Sequence, residues 1–176
     1  GRVFLENLLS ECADKSEIQN AIIAKSDRER GSIWQIREEP RICENRFPHG
    51  FWFDVSIPLG ELKNYTDKLF EDIPRIQPEL RTLVFGHLGD GNLHITVTSG
   101  KVISDLEDPI RRSVYRNLNV LAGSFSAEHG IGIDKRESLA RYTSLEKLKI
   151  MKSIKKILDP NDIMNPGKVL ASTDKS

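Results

Sequence analysis

Two of the four histidines in this 176-residue chain lie within one short stretch, FGHLGDGNLHI, residues 85–95. His87 and His94 stand on either side of Asp90-Gly91, a dipeptide that readily supplies the positive φ angles of a two-residue type I′ hairpin turn. Pairing about that turn predicts that His87 lies directly opposite His94, with their Cβ atoms roughly 5 Å apart on one sheet face. Such a pair can chelate one metal ion, or it can be a hydrogen-bonded pair on the surface.

A second motif, SAEHGIGIDKR at residues 126–136, adds a carboxylate to these imidazoles. Two His nitrogens and one Glu oxygen, with one position left open, are the ligand set of a catalytic zinc site. Adjacent residues on a strand point to opposite faces, so Glu128 and His129 reach one pocket only if the chain leaves the strand there. Gly130 permits that departure, because glycine adopts sharp backbone turns without steric cost.

The elements that must position these motifs follow a β-α-β-β-α-β order. Strands are predicted at 51–57, 82–87, 92–98 and 123–128, with helices at about 59–71 and 103–122 between them. This order is the split βαβ, or ferredoxin-like, α+β arrangement, in which an antiparallel sheet carries both crossover helices on one face. Further helices are predicted at about 2–13, 27–38, 134–142 and 145–158, and a short strand at 20–24.

The strand NLHITVT alternates in polarity, which predicts the face that carries the histidines. Leu93, Ile95 and Val97 point to one side, so His94 and Thr96 point to the other. Because the crossover helices cover the apolar side, the histidines are expected on the open side of the sheet. The whole chain, 1–176, is expected to be one domain with a core at about 50–128, N-terminal helices within 2–40 and C-terminal helices within 134–166.

Composition argues against several classes of protein. The 26 basic and 26 acidic residues cancel, and without a basic block we expect no nucleic-acid partner. No apolar run approaches the roughly 18 residues that a transmembrane helix needs, so no transmembrane segment is expected. Cys12 and Cys43 match no metal-ligand spacing and suggest reduced thiols. We expect a cytoplasmic location, or the mitochondrial matrix in a eukaryote, and leave the oligomeric state open, with a homodimer among the options.

Three ordered motifs, GHLGDGNLHI, SAEHGIG and LDPNDIMNPGKVL, resemble the C-terminal domain of FAD-linked oxidases of the vanillyl-alcohol oxidase type. The similarity extends from about residue 6 to residue 170 and is strongest to the D-2-hydroxyacid dehydrogenases, which include D-lactate and D-2-hydroxyglutarate dehydrogenases. The resemblance implies a divalent metal, zinc or manganese, held by His87, His94 and Glu128. It also implies that His129 acts as the base while the small 2-hydroxyacid substrate passes hydride to the flavin.

The same resemblance implies that FAD is held mainly by a domain that precedes this one. The chain shows no Gly-rich strand-to-helix turn that could cradle a nucleotide, so the FAD-binding domain is expected to be absent from it. This chain is therefore expected to be the cap that binds substrate and metal, and to be inactive alone. Asn165, in IMNPGK, matches a family position near the flavin, although a turn-forming Asn before Pro166 explains it as well.

Substrate binding is also inferred from the resemblance. Arg37 matches an arginine that binds the substrate carboxylate, although an exposed helix arginine paired with an acid is the alternative. Trp52 and Thr96 stand where the D-2-hydroxyglutarate enzymes have a lysine and a substrate-contacting asparagine. Losing the lysine removes a cation for a second carboxylate and favours a monocarboxylate with an apolar or aromatic tail. Arg41 could supply a replacement cation.

Two other functions remain open at this stage. The chain could be a stand-alone module that binds metal or small carboxylates without catalysis, or a zinc hydrolase in which Glu128 or His129 acts on a metal-bound water. The sequence leaves the particular hydroxyacid, the electron acceptor and the metal undecided.

Overall fold

The computed structural model describes residues 1–38, 45 and 48–170. The α-helices in that part of the chain are α1 Arg2–Asp14, α2 Asp27–Glu38, α3 Leu62–Ile76, α4 Glu107–Tyr115, α5 Arg136–Tyr142 and α6 Leu145–Leu158. The strands are β1 Phe51–Ser56, β2 Arg81–His87 and β3 Asn92–Thr98, and short 3₁₀ helices cover Leu59–Glu61, Leu88–Asp90 and Ser104–Leu106. The backbone divides into two compact units, Gly1–Cys43 and Glu44–Ser176. The first contains α1 and α2, and the second contains the sheet.

The three strands form an antiparallel sheet in the order β1-β3-β2. This architecture confirms the predicted α+β class. The predicted fourth strand at 123–128 is wrong in its extent, because it is reduced to a single bridge between Ser124 and Ser56 on the free edge of β1. Beyond Ser124 the chain continues as a loop and not as a strand.

The hydrophobic core lies between one face of this sheet and helices α3 and α4. Alternating apolar residues of β1 and β3 point into it, as the period of two predicts. Its buried members include Phe53, Val55, Leu93, Ile95, Val97, Tyr65, Leu69, Ile73, Ile110 and Val114. Burying a side chain of this size contributes about 1.5–3 kcal/mol. The phenol of Tyr65 also donates a hydrogen bond of 2.7 Å to the carbonyl oxygen of Val114, which ties α3 to α4.

Helix α3 forms because its apolar residues recur at helical spacing. Tyr65, Leu69 and Ile73 lie four residues apart and are all buried against the sheet. The helix continues to Ile76, beyond the predicted end at 71, and stops where Gln77 becomes extended. None of the helices within the described residues combines the length and the apolar character that crossing a membrane requires.

Two further predictions of secondary structure are wrong. The helix expected over 103–122 ends at Tyr115, because Arg116 leaves the helical conformation and Asn117 takes a left-handed one, with φ of 60°. The strand expected at 20–24 does not form, since no strand lies beside it within the described residues and Ile22 stays exposed. An apolar run without a pairing partner cannot satisfy its backbone as a strand.

Candidate functional site

The face of the sheet that points away from α3 and α4 carries the polar residues singled out in the sequence. Asp54 of β1 pairs with His94 of β3, and His94 pairs with Phe85 of β2. His87 shares this face because it lies two residues beyond Phe85 on the same strand. Both histidines therefore lie opposite the helix-packed core, on the predicted side of the sheet.

The predicted hairpin register is wrong by two residues. His87 pairs with Asn92, not with His94, because the connection is a four-residue loop with a 3₁₀ turn at Leu88–Asp90 and only Gly91 left-handed. The two histidines are diagonal neighbours on one face instead of a direct pair. Their rings still approach edge to face, with centroids 5.6 Å apart. A register shift of two residues leaves every side chain on its predicted face, so His87 and His94 still lie on the same side of the sheet.

Gly86 and Gly91 allow the hairpin to pack closely at this end of the sheet. Gly91 has φ of 72°, and a Cβ there would lie 2.0 Å from the carbonyl oxygen of Ile57. The amide of Ile57 donates to the carbonyl oxygen of Gly91 at 2.9 Å, so the loop is hydrogen-bonded to the residue after β1. A Cβ at Gly86 would lie 2.1 Å from the carbonyl oxygen of Asn92. A side chain at Gly86 would push the two histidine-bearing strands apart, and a side chain at Gly91 would push the loop away from the end of β1.

Glu128 completes a three-residue cluster with the two histidines. One donor atom from each of His87, His94 and Glu128 lies within 4.8 Å of the others. Glu128 Oε1 is 2.9 Å from His87 Nδ1, and Glu128 Oε2 is 3.9 Å from His94 Nε2. His87 and Glu128 are partly open to solvent, whereas His94 is only 20% exposed. The cluster therefore has one side against the sheet and one side accessible.

This cluster fits a divalent cation. Ligands at about 2.1 Å around a tetrahedral zinc lie about 3.4 Å from each other, close to the spacing of these atoms. Two imidazoles and one carboxylate leave a coordination position for a substrate, and they suit zinc or manganese better than calcium. Only small side-chain movements would be needed to bring the three donors around one ion.

The short segment that carries Glu128 is held by Asp54. We call residues 126–130 the site loop. Oδ2 of Asp54 accepts hydrogen bonds from the backbone amides of Glu128, at 2.8 Å, and His129, at 3.2 Å. Within the loop, the Ser126 hydroxyl donates to the carbonyl oxygen of Gly130 at 2.5 Å. Gly130 is left-handed, with φ of 67°, as the sequence predicted for the residue that takes the chain away from the strand direction.

Asp54 is buried, and its charge is compensated locally. Burial alone raises the pKa of Asp54, but the amides of Glu128 and His129 and the charge of Lys135 outweigh it, so the pKa lies below its ordinary value. Lys135 Nζ is 3.6 Å from Asp54 Oδ2 and donates to the Ser126 hydroxyl at 3.1 Å. Burial lowers the pKa of Lys135, while Asp54 opposes that effect.

His129, the predicted base, lies beside the cluster without belonging to it. Its ring stacks on that of His94, with centroids 6.2 Å apart and planes inclined by 16°. His129 Nδ1 faces Asp54 Oδ2 at 3.9 Å, and the side chain is largely exposed. The arrangement can place Nε2 of His129 toward a molecule bound at the cluster.

Trp52 and Thr96 form the next pair along the same face. Trp52 is 46% exposed, so its indole is accessible to a ligand. Thr96 is fully buried, and its hydroxyl has no hydrogen-bond partner within the described part of the chain. Arg37 falls in α2, and Arg41 lies outside the described residues. The substrate-binding roles of these residues stay predictions.

The motif LDPNDIMNPGKVL folds as a turn after α6. We call residues 159–167 the C-terminal turn. Asp159 accepts hydrogen bonds from the amides of Ile163, at 3.0 Å, and Met164, at 2.9 Å, and pairs with Lys155. Asn165 is left-handed, with φ of 51°, as expected of an Asn before proline in a turn. Its proposed place near a flavin stays a prediction.

Asp54, Lys135 and Ser126 are the residues that sequence reasoning missed. Asp54 could have been noticed as the only charged residue in the strand FWFDVSI, because an acid inside an apolar strand requires a partner. Lys135 and Ser126 gave no such signal. Their role depends on contacts between residues far apart in sequence.

One protein family and several curated relatives resemble this chain over nearly all of its length. The family profile described as FAD linked oxidases, C-terminal domain, matches residues 4–169. D-2-hydroxyglutarate dehydrogenase, mitochondrial, of Arabidopsis thaliana is 34% identical over 166 residues, which are 94% of this chain and 29% of that protein. D-2-hydroxyglutarate dehydrogenase of Stutzerimonas stutzeri is 27% identical over 168 residues, which are 92% of this chain and 36% of that protein.

A relative from Schizosaccharomyces pombe carries the name of a mitochondrial D-lactate dehydrogenase. It is 32% identical over 171 residues, which are 92% of this chain and 32% of that protein. The chain thus spans about a third of the length of the curated relatives it matches. The family profile covers nearly all of the chain, so this protein belongs to the FAD-linked oxidases, of which it represents the C-terminal domain.

Proposed function

We propose that this chain is the substrate-binding and metal-binding part of an FAD-dependent dehydrogenase that oxidises a D-2-hydroxyacid to the 2-oxoacid. The observation that carries the proposal is the convergence of His87, His94 and Glu128 on one point, with His129 beside them. The family supports FAD as the cofactor. The names of the relatives support a small hydroxyacid as the substrate.

The proposal gives the metal ligands and the base different roles. A bound divalent cation would polarise the substrate hydroxyl as a Lewis acid, and FAD would accept the hydride from the substrate carbon. His87, His94 and Glu128 would hold that cation against the sheet. His129 would take the hydroxyl proton, since imidazole exchanges a proton near neutral pH. The substrate carbon would thus lose a hydride and its hydroxyl oxygen a proton, which together balance a two-electron oxidation to the 2-oxoacid.

The experiment measures metal content and turnover in the complete natural protein. We expect His94→Ala to reduce bound zinc or manganese greatly, because a three-ligand chelate loses a ligand. His49→Asn is the matched control: His49 is exposed and belongs to no metal cluster within the described residues, and Asn tolerates its positive φ of 59°. Unchanged metal content in His94→Ala would remove the metal site. Metal binding without hydroxyacid-dependent dye reduction would favour the binding module.

The substrate side chain is tested separately, because two observations point in different directions. The Arabidopsis and Stutzerimonas relatives are named for D-2-hydroxyglutarate, a dicarboxylate. Trp52, accessible on the site face, offers an apolar surface to the substrate. We propose that the pocket prefers a monocarboxylate with an apolar or aromatic tail, since a second carboxylate desolvated against indole would cost a few kcal/mol.

A panel of D-2-hydroxyacids on the complete protein tests this preference. The comparison is kcat/KM for D-lactate, longer aliphatic and aromatic D-hydroxyacids, D-malate and D-2-hydroxyglutarate. A lead of tenfold or more for either dicarboxylate, about 1.4 kcal/mol, would contradict the preference and make Arg41 the next residue to replace. A homodimeric state stays a prediction. The mitochondrial names of the Arabidopsis and Schizosaccharomyces relatives are compatible with a matrix location in a eukaryote.

A further inference from the structure

Asp54 contacts three of the residues to which the proposed function gives a role, although it is neither a proposed ligand nor a proposed base. Its carboxylate is 4% exposed. Oδ2 accepts the amides of Glu128 and His129, and Oδ1 lies 3.7 Å from His94 Nδ1. One carboxylate thus lies between two proposed metal ligands and the proposed base.

The contact with His94 selects which ring nitrogen faces the cluster. Nδ1 points to Asp54 and Nε2 points to Glu128, 3.9 Å from Oε2. A carboxylate beside one nitrogen favours the tautomer that carries the proton there, which leaves the other nitrogen free to bind a cation. Asp54 Oδ1 is buried and has no hydrogen-bond partner within the described residues, so it is available to strengthen that contact when His94 moves onto an ion.

The contacts with the site loop fix the backbone of the other two residues. Glu128 and His129 are adjacent, and their side chains serve one site only because the loop bends between Ser126 and Gly130. Two amide hydrogen bonds to a single oxygen hold that bend, and Lys135, 3.6 Å from the same oxygen, balances its charge. Removing the carboxylate would release both residues together.

From this geometry we infer that Asp54 is a positioning residue, which sets His94, Glu128 and His129 in one arrangement for the bound cation and the substrate. The part of the inference that concerns cation binding rests on the proposed function. The part that concerns the backbone of the site loop rests on the observed hydrogen bonds alone. It predicts that loss of the Asp54 charge weakens metal binding and turnover more than loss of a comparable buried charge elsewhere in the fold.

Asp159 provides a matched control elsewhere in the fold. It is 6% exposed, accepts two backbone amides and pairs with a lysine, as Asp54 does. It has no contact with His87, His94 or Glu128 among its described hydrogen bonds and ion pairs. Asp159→Asn therefore removes a comparable buried charge without touching the cluster.

The experiment compares Asp54→Asn, Asp54→Ala and Asp159→Asn in the complete natural protein. Asn keeps the size of the side chain and one acceptor oxygen, so Asp54→Asn can still fold if Asp54→Ala cannot. Zinc affinity is measured by competition with a chromophoric chelator. Steady-state kinetics at saturating zinc give kcat and KM, and backbone hydrogen exchange is followed at residues 126–130. We expect Asp54→Asn to bind zinc about 10–100-fold more weakly and to lose kcat, and Asp159→Asn to bind zinc within about threefold of the parent.

The outcomes separate this inference from the proposed function. Zinc affinity within threefold of the parent in Asp54→Asn, together with unchanged exchange in the site loop, would overturn the positioning role. Equal loss of zinc affinity in Asp54→Asn and Asp159→Asn would reduce Asp54 to a structural residue and also overturn it. If the parent protein binds neither zinc nor manganese, the proposed function fails. In that case faster exchange at Glu128 and His129 in the Asp54 variants supports the loop half of the inference, and unchanged exchange overturns it.

Discussion

The site loop and the C-terminal turn are both held by a buried aspartate that accepts two backbone amides and faces a lysine. They differ in where the aspartate comes from. Asp159 lies four and five residues from the amides it binds, whereas Asp54 binds amides 74 and 75 residues away. The turn is therefore closed by contacts between near neighbours in the sequence, whereas the loop depends on a residue of the sheet.

They differ also in how the two carboxylates are used. Both oxygens of Asp159 accept backbone amides, and Lys155 adds a further bond to one of them. Asp54 uses one oxygen for both amides and leaves the other facing His94. The same arrangement thus completes a helix end in one place and holds the loop that carries Glu128 and His129 in the other.

The strongest test of this contrast is His129→Ala in the complete protein. If the site loop serves chemistry, kcat should fall by about 100-fold or more, the usual contribution of a general base, while metal content stays near that of the parent. Steady-state kinetics and elemental analysis measure the two quantities. His49→Asn serves as the control for removing a histidine. Loss of metal and activity together would indicate that His129 is a metal ligand and would contradict its proposed role as the base.

The next test concerns the hairpin that brings His87 and His94 to the loop. Gly91→Ala should lower the free energy of unfolding by about 2–4 kcal/mol, because the residue is left-handed and its Cβ would meet the carbonyl oxygen of Ile57. Gly89→Ala, in the same loop, meets nothing within 4 Å and should change it by less than about 1 kcal/mol. Urea denaturation of the two variants measures the difference. Equal effects would show that close packing at Gly91 does not hold the hairpin.

Acidification should open the C-terminal turn in a defined pH range. The hydrogen bond from Lys155 lowers the pKa of Asp159, with further help from the amides of Met164 and Ile163, against the effect of burial. A lowered pKa means that the ionised carboxylate stabilises the turn above the ordinary Asp value of about 3.9, and that this stability is lost as the pH falls through the lowered value. NMR shifts of the two amides should therefore move only below about pH 4.

Asp159→Asn is the control for that titration. It should abolish the acid transition at these amides and lower the melting temperature by roughly 2–6 °C, since one charged partner of the lysine and the amides is gone. Asp162, which lies 3.2 Å from Lys155 Nζ, is unchanged in this variant. A transition that persists in Asp159→Asn would contradict its assignment to Asp159.

The smallest expected effect is that of Thr96→Val. The hydroxyl of Thr96 is buried without a hydrogen-bond partner in the described part of the chain, so replacing it with a methyl group should leave the free energy of unfolding within about 1 kcal/mol or raise it. Thermal denaturation measures this change. KM for the best hydroxyacid tests whether Thr96 contacts the substrate. A rise of tenfold or more in Thr96→Val would place the Thr96 hydroxyl in contact with it.

Much of this site could be read from the sequence because its chemistry lies in compact motifs. Alternation in NLHITVT predicted the face of His94, and Gly130 predicted the bend that carries Glu128. The register was missed because Asp90-Gly91 favours a two-residue turn, whereas packing of Gly91 against Ile57 selects a longer loop. A fourth strand was wrongly predicted because GSFSAE has strand-like composition, but Asp54 holds the chain after Ser124 in a loop. Both errors arise from contacts between distant residues.

The four-residue connection at 88–91 has a consequence for anyone who would graft this histidine-bearing hairpin onto another sheet. An insertion or deletion of one residue would turn the side chains of one strand over, and either His87 or His94 would enter the apolar core. Replacing Leu88 or Gly89 with another amino acid leaves that alternation intact. A graft should therefore keep the length of the loop and the glycine at its last position, whereas the other amino acids of the loop matter less.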